Sequence, residues 1–274
     1  MPKSTQKSTA KPLSDILGSL PEIPNRAGLP AKDSIIGVTT PVASAMAESK
    51  PQYRIIHTIE MDEYEKGAMS AKLAAKVAAA APPKGNSFKG KSRKAAKLSI
   101  SKSKTEKFED LKELIESLPS ESLMKFHTPP IGTDSKSGRV EEEERNVHVS
   151  AFIYAASRED DNDFHVIIGR DPQASPEIYM TVELSGLPPS SSESFKKLKA
   201  ARHSFKKFYD DNLGGNLPGL AYDFPDPPIP VEIDGSLFFD MTHATGSRPG
   251  PKSLKSRMPV IWEVHPITKM VFES

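Results

Sequence analysis

The sequence predicts a mainly β protein: one small closed barrel of five strands, with a single helix between strands 3 and 4, behind a disordered basic arm. Three observations predict it. Apolar residues alternate at period 2 only after about residue 147, the patterned runs come in the order three strands, helix, two strands, and charge is divided between the two ends of the chain.

The arm comes first. Hydrophobic residues make up 36% of the 274 residues and Pro numbers 25, so part of the chain buries too little apolar surface to offset the entropy of ordering it. Residues 1–107 hold 19 Lys and Arg against 9 Asp and Glu, a net charge of +10, whereas residues 108–274 hold 18 against 27, a net charge of −9. The overall +1 is a cancellation.

Up to about Pro51 the sequence is Ser/Thr/Pro/Lys-rich without periodicity. Residues 60–81 are rich in Ala, Glu, Lys and Met, which predicts a helix that Pro82-Pro83 stops. Residues 84–107 carry nine Lys and Arg against Glu106 alone and read as a polycationic tether. Lys84, Lys89, Lys91, Arg93, Lys94 and Lys97 are therefore the candidate nucleic-acid contacts. With Lys dominant and Phe88 as the tether's aromatic residue above Lys107, such contact is electrostatic and nonspecific. The same arm could equally fold back on its own acidic domain.

Residues 108–146 read as a short helix and linker. Phe108, Leu111, Leu114, Ile115 and Leu118 recur at helical spacing and Pro119 stops them, after which His127 to Glu144 is Pro/Gly/Ser-rich.

Residues 147–274 form the barrel domain. Val147, Val149, Ala151 and Ile153 alternate with polar and aromatic residues as the first strand, and an acidic turn at Glu159 to Asn162 leads into a second strand ending at Gly169. Ile178, Met180, Val182 and Leu184 alternate in the third. Ser190 and Glu193 have capping-box spacing ahead of a helix whose stripe is Phe195, Leu198, Phe205, Phe208 and Tyr209, and Gly214-Gly215 end it. Val231 to Phe239 gives the fourth strand and Ile261 to Phe272 the fifth. This order is that of the OB (oligonucleotide/oligosaccharide-binding) barrel; an open α+β sheet accepts the same elements.

Three short motifs pair a carboxylate with a histidine: Asp163 with His165, Asp240 with His243, and Glu263 with His265. Residues i and i+2 of a strand share a face, so either the groups converge on a divalent metal (zinc, manganese or magnesium), or each carboxylate orients its neighbouring imidazole. The metal reading takes His165, Asp240, His243 and His265 as ligands and Asp163 and Glu263 as catalytic carboxylates. With no Cys, thiolate-bound metals and disulfides are excluded.

The segments around Asp163-x-His165, Phe238-Phe239-Asp240-Met241-Thr242-His243 and Trp262-Glu263-Val264-His265-Pro266 together resemble a bacterial domain family marked by this motif trio, to which no established activity attaches. The resemblance runs from Val147 onward. Its members carry a short Gly/Asn-containing loop after the central motif, whereas here the loop is longer and basic, with Arg248, Lys252, Lys255 and Arg257.

Gly85 to Ser92 matches the phosphate-loop pattern letter by letter, but the neighbouring Pro82-Pro83 and Lys/Ser tract exclude the strand and helix that such a loop requires. No run of apolar residues is long enough to cross a membrane, so a cytoplasmic protein is expected. Three functions remain open: an OB-like binding module whose basic arm contacts nucleic acid, a metal-dependent phosphodiesterase or nuclease, and a protein-interaction adaptor.

Overall fold

The computed structural model describes residues 52–57, 60, 85–244 and 248–273. They form, in order, β1 (Arg54–His57), α1 (Lys94–Lys97), β2 (Thr105–Phe108), α2 (Leu111–Glu116), α3 (Glu121–Lys125), a 3-10 turn at Glu141–Glu143, β3 (Asn146–Arg158), β4 (Phe164–Gly169), β5 (Tyr179–Leu184), α4 (Phe195–Asn212), β6 (Asp223–Asp226), β7 (Ile229–Phe239), α5 (Met241–Ala244), α6 (Lys252–Lys255) and β8 (Trp262–Phe272). The helix expected over residues 60–81 and the arm up to Pro51 lie outside the described residues.

β3 pairs antiparallel with β4 and with β7, β4 pairs with β5, β5 runs parallel to β8, and β8 returns antiparallel to β7. The sheet is therefore closed, with the strand path of an OB-like barrel. β3 serves two neighbours in succession: residues 146–153 face β7 and residues 152–158 face β4, with a register shift between Ile153 and Ala155 where the strand bends.

The inward alternation of Val147, Val149, Ala151 and Ile153 is observed, and their side chains join those of Val166, Val182, Leu237, Trp262 and Val264 in the core. At one end of the barrel Phe205 of α4 packs 5.2 Å from Phe164, while Arg202 donates to the carbonyls of Asn162, Leu184 and Ser185. Gly214 and Gly215, at φ of +74° and +81°, end α4 in the left-handed conformation that glycine tolerates.

Three expectations are corrected. The Ser190/Glu193 capping box does not form: α4 begins at Phe195, and Ser194 at its N-cap donates its hydroxyl to Leu98 instead. The single helix over 108–118 is shorter, because Phe108 ends β2, which pairs parallel with β3, and only Leu111–Glu116 is helical.

The third correction concerns the tether. Residues 85–103 are a strap folded across the barrel, so the boundary at Lys107 falls inside packed structure. The Phe88 amide donates to Leu187 (3.0 Å), the Lys89 amide to Asp161 (2.9 Å), and the Asn162 side chain to the Ser87 carbonyl (2.6 Å). Arg93, 1% exposed, makes a two-pronged ion pair with Glu143 at 2.6 and 2.7 Å and also donates to the Phe239 carbonyl. Composition suggested a solvated tract because a count of cations says nothing of their partners. Arg93 is consumed by Glu143, in the segment expected to be a linker.

Candidate metal centre

The strap roofs the outer face of the barrel, and the motif residues lie beneath it. Val182 and Val264 pair across the parallel β5–β8 ladder with side chains in the core, which turns their neighbours Glu183, Glu263 and His265 outward. His165 pairs with Glu183 across β4–β5, and Phe238 pairs with Glu263 across β7–β8. A row of polar side chains thus runs over strands β4, β5 and β8. Asp163 enters from the β3–β4 turn, and Asp240 and His243 from the end of β7 and α5. In OB barrels this face, with the loops at its ends, is where ligands bind.

Glu183 is the centre of the row. Its Oε1 lies 2.9 Å from Nε2 of His165, and its Oε2 lies 2.6 Å from Nδ1 of His265 and 3.8 Å from Nζ of Lys97. The contact with His265 is short but is not aligned as a hydrogen bond. His265 turns Nε2 toward Oδ2 of Asp163 at 3.6 Å, while Oδ1 of Asp163 accepts the Gly186 amide at 2.6 Å. Oδ2 of Asp240 lies 3.9 Å from Nε2 of His243.

Two buried triads result, Asp163–Glu183–His265 and Asp240–His243–Glu263, each with ligand atoms within 4.8 Å of one another. Each could hold a metal ion. The first is closed, its members 0–1% exposed; in the second, Asp240 and His243 keep 7% and 6% of their surface in contact with solvent.

Burial and crowding set the charges apart. Burial, with Asp161 and Glu183 nearby, pushes the Asp163 carboxyl well above the usual range. Burial together with Glu183 and Asp240 does the same to Glu263. Burial alone would raise Glu183, but His265, Lys97 and His165 hold it well below. Burial likewise opposes Asp240, yet Lys97 and His243 keep it below the ordinary value. His265 is lowered, chiefly by its burial. Lys97 loses solvation too, but Glu183, Asp240, Asp163 and Glu263 outweigh that loss and hold its ammonium well above the usual lysine value.

No protein-family model, no curated protein and no solved structure matches the chain.

All six site residues named from sequence therefore lie on this one face, and two of the three spacing pairs are in contact, Asp240 with His243 at 3.9 Å and Glu263 with His265 at 3.8 Å. Asp163 approaches His265 instead of its sequence neighbour His165, and His165 contacts Glu183. Glu183 was missed, although it was the one acidic residue on the outward-pointing positions of the third strand. Its burial depends on the strap, which sequence did not reveal.

Of the candidate nucleic-acid residues, Lys84 lies outside the described residues. Lys89, Lys91 and Lys94 are exposed on the strap. Arg93 and Lys97 are not available to phosphates, because Glu143 and Glu183 hold them from beneath. A separate open groove of about 1230 Å³ lies between the strap and the start of α4, lined by Lys94, Ser101, Lys102, Glu193 and Lys197; no triad residue lines it. Among the described residues no helix is long and apolar enough to cross a membrane.

Proposed function

We propose that the chain is a metal-dependent hydrolase of phosphodiesters, with its ion held by Asp240, His243 and Glu263. The observation that carries this reading is Glu263. Its side chain is fully buried, and neither carboxylate oxygen has a hydrogen-bond partner among the described residues. A buried carboxylate without donors is costly unless a cation accepts it or a proton neutralises it. Facing Glu263 are Asp240 and His243, the two ligand types that complete a site for zinc or manganese.

Asp240 and His243 keep a small exposed fraction that Glu263 lacks, which favours a catalytic over a structural ion, since catalytic sites keep a position open for water or substrate. Held by Asp240, His243 and Glu263, a divalent ion would supply Lewis acidity and lower the pKa of a bound water. Around it the chain's own groups divide the remaining work. The exposed Lys89, Lys91 and Lys94 of the roof favour an anionic substrate, and Glu183 orients His165. The site's position on the ligand face of an OB-like barrel supports an oligomeric substrate.

The test is hydrolysis of bis(p-nitrophenyl) phosphate and of a short single-stranded oligonucleotide by the purified full chain after chelation and re-addition of manganese or zinc. Metal-restored cleavage that Glu263→Gln abolishes is expected. No cleavage of either substrate with either metal would overturn the hydrolase reading.

A second reading, an OB-like module that binds nucleic acid nonspecifically, is favoured by the exposed Lys89, Lys91, Lys94, Lys102, Lys104 and Lys107 along the strap and its continuation. It predicts oligonucleotide binding that weakens steeply with salt and needs no metal. Fluorescence anisotropy across a salt series with chelator present tests it.

A further inference from the structure

Lys97 is the residue of this centre that neither motif spacing nor the triads account for. Its backbone is clamped, since its amide donates to Arg93 at 2.9 Å and its carbonyl accepts the Ser185 hydroxyl at 3.2 Å. Its ammonium is thereby delivered beneath the strap, 3.8 Å from Oε2 of Glu183 and 5.6 Å from the centre of the Phe238 ring. The other side of that environment is His265, whose ring packs 5.4 Å from Phe238. A fixed cation therefore already stands at the mouth of the closed Asp163–Glu183–His265 triad.

Both triads offer buried atoms of the kind that ligate metals and that make no aligned hydrogen bond: Oδ2 of Asp163, Oε2 of Glu183, the ring nitrogens of His265 and both oxygens of Glu263. On donor atoms alone, two ions could bind side by side. Position decides otherwise. The Lys97 ammonium already stands 3.8 Å from Oε2 of Glu183, the atom a second ion would have to share. A divalent ion there would face that cation at close range across a mostly buried site, with little solvent to screen the repulsion.

We propose that Lys97 is a built-in second cation that makes the centre mononuclear: it occupies the closed triad electrostatically and directs the single divalent ion to Asp240, His243 and Glu263. The inference rests on the metal-site reading above and deepens it. Lys97 acts as a selectivity-determining residue through Glu183, without itself ligating the ion.

Equilibrium dialysis of the full chain against manganese, followed by elemental analysis, counts the ions directly. Wild type is expected to hold one per chain at saturation, Lys97→Arg one, and Lys97→Met two, the second entering the closed triad. Two ions in wild type, or one in a Lys97→Met variant whose circular dichroism matches wild type, overturns the inference while leaving the metal site standing. No ion in any of the three overturns both. The wild-type count decides the matter even where Lys97→Met does not fold.

Discussion

Nδ1 of His265 lies 2.6 Å from Oε2 of Glu183, across the one parallel pairing that closes the barrel, and the two groups face each other without hydrogen-bond alignment. Closure of the sheet thus sets the site's geometry. β5 and β8 are far apart in sequence, and their parallel adjacency exists only because α4 carries the chain across the barrel's end before β7 and β8 return.

Glu263→Gln exchanges a buried, unpartnered carboxylate for a neutral group of the same shape. The metal-free variant is expected to melt above wild type, by an amount on the order of 1 kcal/mol of stability or more, and to lose at least tenfold in manganese affinity. Thermal melting with chelator, and then with a manganese series, reads both effects. A variant less stable than wild type in chelator would show that Glu263 has a structural partner.

The strap's anchor is the buried Arg93–Glu143 pair. Removing one partner strands the other charge, so Arg93→Met is expected to cost about 3–5 kcal/mol in urea unfolding, whereas the double variant Arg93→Met with Glu143→Met recovers much of the loss. Equal losses in the single and double variants would mean that the pair's charge is not what matters.

Gly186 sits where the strap crosses the end of β5. A Cβ there would come 2.6 Å from Cα and 2.9 Å from N of Phe88, which are backbone atoms that cannot rotate away. Gly186→Ala is expected to lift the strap. Limited trypsin digestion should then cut at Lys89 and Lys91 several-fold faster while far-UV circular dichroism stays unchanged; digestion at the wild-type rate would show that the strap accommodates the methyl group.

How much of this was legible in the sequence follows from where the determinants lie. Period-2 alternation located the barrel strands, because one face of each is buried by its neighbours in a closed sheet. The Asp163, Asp240 and Glu263 motifs pointed to the buried polar cluster because such groups at strand ends are conspicuous. Lys97, Arg93 and Glu183 were not legible as site or anchor residues. Their roles arise largely from contacts between distant segments, such as Arg93 with Glu143, 50 residues apart, and Lys97 with Glu183, and local pattern does not record such contacts. The basic tract read as a tether for the same reason.

Asp110 caps α2 by accepting the Lys112 amide at 2.8 Å and also pairs with Arg170 at 2.8 Å. Its partial burial alone would raise its carboxyl, but Arg170 and the Lys112 amide hold it below the ordinary value. A carboxyl depressed in the folded state contributes stability that is complete above its unfolded pKa, about 3.9, and is lost as pH falls through the lower folded value. Asp110→Asn should therefore flatten the acid limb of a stability–pH curve below about pH 4. An unchanged acid limb would place that sensitivity in other carboxylates.

The most direct measurement is anomalous X-ray diffraction from crystals of the full chain soaked in manganese or zinc. The account predicts one strong peak within about 2.0–2.2 Å of a carboxylate oxygen of Glu263, a carboxylate oxygen of Asp240 and a ring nitrogen of His243. No peak at saturating metal, with Glu263 instead hydrogen-bonded as a neutral acid, would contradict it.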